Sequence, residues 1–187
     1  MHIIIGTNRY FMIYRTLFES VGKMNYRLGT RDDLKEIGLL ITEVINHMET
    51  AGIYQWDSIY PTEEDFEDDI IHKNLYILEE EQEIAALYVI NQEADEEYSN
   101  CLWNKPAETA CVLHRLCVSP RYQNKGLGKC ILNHIEKQAK EMSYQSIRLD
   151  VYSKNPYALG LYRKNNYIER GFADWRKGRF ILMEKKL

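Results

Sequence analysis

The spacing of apolar positions predicts helices at the start of the folded chain. Thr30 followed by Asp33 is typical of a helix start, and apolar residues then recur every three or four positions, which predicts a helix over about 31–50. Thr62, which is followed by acidic residues, is typical of a second helix start, and we expect this shorter helix to end near His72. A strand-like run over 24–28 leads directly into the first of these helices.

Strand patterns dominate the remainder of the chain. Short apolar runs over 75–78 and 84–90, separated by an acidic stretch, predict an antiparallel hairpin. The polar, turn-rich residues 91–108 predict a long loop, and residues 111–118 predict another strand. The further predicted elements are a turn over 120–125, a helix of about 16 residues from Leu127, a strand over 147–151, a helix opened by Asn155-Pro156, and strands over 167–171 and 179–183.

The mixed order of these elements predicts one α/β or α+β domain. The chain has 187 residues, of which 45% are hydrophobic and 28% are charged, and this composition excludes a disordered or collagen-like protein. Its net charge of −4 argues against a general nucleic-acid binder, because such proteins neutralise phosphates with basic residues. No run approaches the ~20 apolar residues of a membrane-spanning helix, so we expect no membrane partner.

The cysteines and the first residues bear on the compartment. The four cysteines form no CxxC pair and have no partner at zinc-finger spacing, so we expect reduced thiols, a cytoplasmic protein and no metal site. Residues 1–23 contain three consecutive isoleucines, but polar and basic residues interrupt the run before it reaches the length of a signal peptide core. We therefore expect residues 1–23 to be an N-terminal extension and the folded domain to span 24–187.

Residues 113–128 predict a strand, a basic turn with two glycines, and the start of a helix. The first amides of a helix lack internal partners and carry the positive end of the helix dipole, so this turn predicts an anion site. Ile131 stands where a dinucleotide-binding fingerprint needs glycine. Gln123 and Cys130 stand where a Walker A loop needs glycine and serine or threonine. A phosphate-bearing ligand remains, whereas NAD and ATP lose most of their support.

The sequence Gln-Asn-Lys-Gly-Leu-Gly at 123–128, behind a strand ending in Val-Ser-Pro, resembles the Q/R-x-x-G-x-G/A acetyl-CoA motif of the GNAT acetyltransferase superfamily. Residues 155–167 resemble the second motif of that superfamily, N-x-x-A-x-x-L-Y-x-K-x-G-F, and residues 52–61 resemble one bacterial subgroup. Asn166 replaces the usual glycine of the second motif, and because asparagine tolerates positive φ we expect the turn to persist. The resemblance implies an α/β fold with a central twisted mixed β-sheet flanked by helices on both faces and splayed where the cofactor enters.

The resemblance also implies how acetyl-CoA binds as a co-substrate. Backbone amides of the glycine turn are expected to hold the pyrophosphate, and the open edge of the 111–118 strand is expected to pair with the pantetheine arm. The implied cofactor-binding residues are Leu116, Cys117, Val118, Gln123, Asn124, Lys125, Gly126, Leu127, Gly128, Lys129 and Asn155.

Two side chains are candidates for proton transfer. Tyr162 matches the family tyrosine that acts as general acid toward the departing thiolate, and a phenol with a pKa of about 10 stays protonated at neutral pH. His114 is the candidate general base, because it shares strand parity with Leu116 and Val118 and has a reference pKa near neutrality. Cys117 has the opposite parity to His114 and so lacks a visible activating base, which argues against a covalent cysteine intermediate.

Trp56, Asp57 and Tyr60 lie where relatives build the acceptor wall, and an apolar face with one carboxylate suits an amine-bearing substrate. Ordinary packing is the alternative for each of these side chains. The sequence therefore predicts transfer of an acetyl group from acetyl-CoA to a primary amine of a small molecule or peptide, by direct attack in a ternary complex. We expect a bacterial protein that is a monomer or homodimer. Two alternatives stay open, a non-catalytic acyl-CoA-binding module and a protein N-terminal acetyltransferase.

Overall fold

Seven strands form one mixed sheet in the computed structural model, which describes residues 24–187. The strands are β1 (Asn25–Leu28), β2 (Leu75–Glu80), β3 (Glu83–Asn91), β4 (Ala110–Val118), β5 (Ser146–Tyr152), β6 (Ile168–Trp175) and β7 (Gly178–Lys186). Their order across the sheet is β1-β2-β3-β4-β5-β7-β6, and neighbouring strands are antiparallel except for β4 and β5, which are parallel. The extension expected over residues 1–23 lies outside the described residues.

The helices and strands predicted from the sequence are confirmed to within a few residues at their ends. The α-helices are α1 (Leu34–Thr50), α2 (Glu63–Ile71), α3 (Leu127–Glu141) and α4 (Pro156–Lys164). Side-chain caps explain where two helices begin: Thr62 accepts a hydrogen bond from the amide of Asp65, and Asn155 accepts one from the amide of Ala158. The segment predicted as a long loop contains two short 3₁₀ turns. Within residues 24–187, no helix is long and apolar enough to cross a membrane.

Helices cover both faces of the sheet, as predicted. Helices α1 and α2 pack on one face against side chains that include Leu87 and Val89 of β3. Helices α3 and α4 pack on the other face, where the alternate β3 residues Tyr88 and Ile90 point. Because both faces are covered, nearly every residue of β3 is buried.

A β-bulge in β4 changes which side chains share a face. Arg115 has a φ of 50°, and the pairing of β3 with β4 shifts by one residue at this point. His114 therefore pairs with Val89 and Cys117 pairs with Leu87, which places both side chains on the α1–α2 face. The parity predicted from the sequence is wrong here, because simple alternation does not hold across an inserted residue. Leu116 and Val118 lie on the opposite face from His114, together with the α3–α4 core.

Strands β4 and β5 separate after a short parallel contact. Only residues 110–112 of β4 pair with residues 146–148 of β5. Beyond these pairs β4 continues along β3, whereas β5 continues along β7. The predicted splay of the sheet is therefore present, and it opens at the carboxyl ends of both strands.

Candidate active site

A large open cleft of about 1230 Å³ occupies the gap between β4 and β5. It runs from the glycine turn before α3, past the start of α4, to the segment that joins α1 and α2. The predicted site residues that line it are Tyr162, His114, Leu116, Cys117, Val118, Gln123, Asn124, Gly126, Leu127, Gly128, Lys129, Asn155, Trp56 and Tyr60. Lys125 and Asp57 are the two predicted residues that do not line the cleft.

The glycine turn presents a row of unpaired backbone amides. Gly126 has a φ of 79° and Asn124 a φ of 59°, so the chain turns through the left-handed region just before α3. Within residues 24–187, the amides of residues 124–128 donate to no backbone carbonyl, whereas those of Lys129 and Cys130 donate to the carbonyl of Gly126. No atom lies within 4 Å of a Cβ added at Gly126. The turn therefore offers donors and open space to an anionic group.

Side chains beside the turn fix its position on β4. The Nε2 of Gln123 donates a hydrogen bond of 2.9 Å to the carbonyl of Val118, which ties the turn to the end of the strand. Ser119 donates its amide to Ala85 of β3, so the polar backbone groups of the preceding residue, Val118, face the open side. The Gln123 side chain already occupies the Val118 carbonyl. The Val118 amide, which faces the same open side, remains available to a ligand.

Two basic residues near the turn have partners outside the cleft. The ammonium of Lys125 lies 5.5 Å from the centre of the Tyr122 ring. The guanidinium of Arg121 donates to a carboxylate oxygen of Glu83 at 2.9 Å. Lys129 is the basic residue of the turn that lines the cleft.

Tyr162 lies in the middle of the cleft wall on α4. Its side chain is 7% exposed, and its ring meets that of Tyr167 edge-on, with 5.5 Å between the ring centres. Burial, with a smaller contribution from the Asp150 carboxylate, raises the pKa of Tyr162 above its ordinary value of 10. The phenol is therefore protonated throughout the physiological pH range, and it can donate a hydrogen bond into the cleft. The turn after α4 keeps its predicted form, since Asn166 has a φ of 67°.

His114 is held by two oxygen atoms on one side of its ring. Its Nε2 lies 2.9 Å from Oδ1 of Asn91 and 3.2 Å from the carbonyl oxygen of Glu93. A carbonyl oxygen can only accept, so Nε2 is the donor and Nδ1 is the only nitrogen left to accept a proton. Burial, aided by the nearby Arg115, lowers the pKa of His114 to about 4. His114 is therefore neutral at pH 7 and weakly basic.

Asp57 serves as an ion-pair partner rather than as an open carboxylate. It accepts hydrogen bonds from Arg176 at 2.7 Å and from Lys177 at 2.9 Å. These bonds hold the pKa of Asp57 well below its usual range. They also connect the α1–α2 segment to the turn between β6 and β7. Trp56 and Tyr60 of the same segment lie on the cleft.

Six charged residues that line the cleft were not predicted from the sequence: Asp95, Arg115, Asp150, Lys164, Arg176 and Lys177. Arg115 donates to the buried Asp69 at 2.7 Å and lies 5.4 Å from the centre of the Tyr60 ring. Asp150 lies on the face of β5 opposite to that of Ile147 and Leu149, whose side chains are in the α3–α4 core. Within β5 the polar residues Ser146, Arg148 and Asp150 alternate with apolar ones, and Asp150 is the only carboxylate among them, which is the signal that could have identified it.

Several known proteins are similar to this chain. A family model described as acetyltransferase (GNAT) family matches residues 41–167. The uncharacterized N-acetyltransferase YesJ of Bacillus subtilis (strain 168) is 25% identical over 139 residues, which are 73% of this chain and 77% of YesJ. The crystal structure of a GNAT-family acetyltransferase from Streptococcus agalactiae 2603 matches with a TM-score of 0.77 and 22% identity, covering 88% of this chain and 95% of that one. The PaiA N-acetyltransferase of Thermoplasma acidophilum, crystallised with coenzyme A, matches with a TM-score of 0.67 and 18% identity, covering 88% and 99%.

Proposed function

The chain belongs to the GNAT acetyltransferase family, and on that basis we propose that it transfers an acetyl group from acetyl-CoA to a primary amine of a small molecule or peptide. The observation that carries the proposal is the single cleft that joins three features. Unpaired amides lie at one end, the Tyr162 phenol lies in the middle, and Trp56 and Tyr60 lie at the other end.

The residues of the cleft fit acetyl-CoA as co-substrate. Pyrophosphate oxygens match the free amides of residues 124–128 at the positive end of α3, with Lys129 beside them. An extended pantetheine arm can add to the open edge of β4, in the way that a peptide adds to a sheet edge. The PaiA enzyme, which shares this fold, carries coenzyme A in its structure and supports the assignment.

Acetyl transfer requires opposite proton movements at the two reacting partners. A primary amine with a pKa of about 10.4 must lose a proton before it attacks, and this costs about 4–5 kcal/mol at pH 7. The amine nitrogen then bonds to the thioester carbonyl carbon, the carbon–sulfur bond breaks, and the thiolate leaves. In the proposal, the Tyr162 hydroxyl donates its proton to that sulfur as negative charge develops on the sulfur. The amine lies between Tyr162 and the aromatic side chains of Trp56 and Tyr60.

Mass spectrometry of pooled amines tests the proposal. The protein is incubated with acetyl-CoA and a mixture of amino acids, polyamines, aminoglycosides and short peptides, while calorimetry measures acetyl-CoA binding separately. We expect acetyl-CoA to bind and one class of amines to gain an acetyl group only in the presence of protein. Binding without any acetylated amine would instead support a non-catalytic acyl-CoA-binding module. Absence of binding would refute the assignment of the glycine turn.

A further inference from the structure

A carboxylate lies at the point where the sheet divides. Asp150 is two residues beyond Arg148, the last residue of β5 that pairs with β4. Its neighbours Leu149 and Val151 point into the α3–α4 core, whereas Asp150 points to the other face and lines the cleft. It therefore lies beside the gap that receives the reacting groups, on a strand held in place by β7.

One hydrogen bond fixes the orientation of this carboxylate. The hydroxyl of Tyr98 donates to Oδ1 of Asp150 at 3.0 Å. Tyr98 is 4% exposed, its ring stacks on Trp103, and the indole Nε1 of Trp103 donates to the Tyr98 carbonyl at 2.7 Å. Tyr98 comes from the segment between β3 and β4 (residues 92–109), which we call the β3–β4 segment.

Charged side chains of the sheet hold the β3–β4 segment in place. Glu184 of β7 accepts a hydrogen bond from the amide of Asn104 at 2.7 Å and lies 3.2 Å from the guanidinium of Arg170. Arg148 donates to the carbonyl of Lys105, and its guanidinium lies 4.5 Å from the centre of the Trp103 ring. These contacts give Tyr98 a fixed position relative to β5.

The charges around Asp150 leave it ionised but more basic than an ordinary carboxylate. Burial, together with the negative charge of Asp95, raises its pKa, while the Tyr98 hydroxyl and the charge of Arg115 oppose that rise, and the result is a pKa of about 6. The other titratable groups that interact with it are Tyr60 and Tyr162. His114, with its pKa of about 4, binds a proton less tightly.

We propose that Asp150, rather than His114, accepts the proton that the attacking amine loses, and that Tyr98 is the positioning residue for Asp150. This inference rests on the proposed acetyl transfer. The nitrogen of a primary ammonium loses two protons in the reaction. One passes to Asp150 and then to solvent. Tyr162 gives its proton to the departing sulfur and is reprotonated by the second proton that the nitrogen loses, so the products are the amide, free CoA and one proton.

Variants at both residues, assayed as a function of pH with the best amine from the pool, test the inference. We expect Asp150→Asn to bind acetyl-CoA within about twofold of the wild type but to lose about 10²-fold or more in kcat. The wild-type kcat/KM should fall as pH drops through about 6, and this acid limb should disappear in Asp150→Asn. Tyr98→Phe removes a hydrogen bond to the ionised carboxylate, so the acid limb should move to higher pH.

Matched controls separate catalysis from stability. Asp33→Asn removes a buried carboxylate that pairs with Arg27 at 2.7 Å outside the cleft. Tyr88→Phe removes a buried hydroxyl that donates to Gln138 at 2.8 Å on the other sheet face. Both controls should keep the wild-type pH profile.

Each outcome of the kinetic test has a distinct meaning. An Asp150→Asn protein with wild-type kcat/KM, or an unchanged acid limb in Tyr98→Phe, would overturn the inference and leave acetyl transfer intact. A wild-type protein that binds acetyl-CoA but acetylates no amine would overturn the proposed function and the inference with it.

Discussion

Removing the charge of Asp150 should make the protein more stable at neutral and alkaline pH. The pKa of this carboxyl is about 6 in the folded chain against an ordinary value of 3.8. A carboxyl whose folded pKa is raised binds protons more readily in the folded state, so stability falls as pH rises through that value. A difference of about 2 between the two pKa values corresponds to about 3 kcal/mol. This is an upper limit, because the carboxylate faces an open cleft where solvent weakens the effect.

The comparison between Asp150→Asn and the wild type isolates this contribution. Asparagine keeps the shape and the acceptor oxygen for Tyr98 but does not ionise. We expect the variant to unfold with a higher free energy by about 1–3 kcal/mol at about pH 8, and the difference to vanish near pH 3. At about 2–4 °C per kcal/mol, the melting temperature at about pH 8 should rise by several degrees.

Urea unfolding at several pH values measures the free energies directly. Asp69, whose pKa is also raised to about 6, titrates in both proteins and cancels from their difference. Asp33→Asn should behave in the opposite way, because Arg27 lowers the pKa of Asp33 from 3.8 to about 2, and its charge stabilises the fold fully above 3.8 and progressively less as pH falls towards 2. If Asp150→Asn is less stable than the wild type at about pH 8, or if the difference does not depend on pH, Asp150 is a structural residue and this reasoning fails.

Three further substitutions test other parts of the cleft. Tyr162→Phe should bind acetyl-CoA with unchanged affinity in calorimetry and lose about 10²-fold in kcat, and unchanged turnover would remove Tyr162 from the mechanism. Gly126→Ala should weaken acetyl-CoA binding and destabilise the fold by about 1–2 kcal/mol, because a φ of 79° strains an L-residue. Gly38→Ala is the control, because Gly38 is helical and nothing lies within 4 Å of its added Cβ, and it should be neutral or stabilising. Asp57→Asn should raise the KM for the amine several-fold while the affinity for acetyl-CoA stays constant, because the substitution releases the segment that carries Trp56 from Arg176. An equal loss of affinity for both substrates would contradict this role.

Local signals account for the parts of the fold that the sequence predicted well. The Thr62 and Asn155 caps and the glycine turn depend on residues three or four positions apart, and their side chains make the expected bonds. The apolar run that forms most of β3 is buried on both faces, so the length of that run predicts the length of the strand. These features need no knowledge of distant contacts.

The charged part of the site depends on contacts that sequence spacing does not show. Tyr98 meets Asp150 across 52 positions of the chain, and Arg176 meets Asp57 across 119. The parity of His114 failed for a different reason, since the left-handed Arg115 adds a residue to β4 without a glycine to mark it. Because no glycine marks this bulge in the sequence, the sequence alone predicts strict alternation of side chains along the strand.

Release of free CoA thiol from the acetyl-CoA complex tests the central claim most directly. The wild-type protein is loaded with acetyl-CoA, and thiol release is followed before and after addition of the amine pool. Direct transfer predicts little release without amine and rapid release with it, in equal amount to the acetylated amine formed. Release that does not depend on amine, or no release from a protein that holds acetyl-CoA, would contradict the assignment of this cleft as an N-acetyltransferase site.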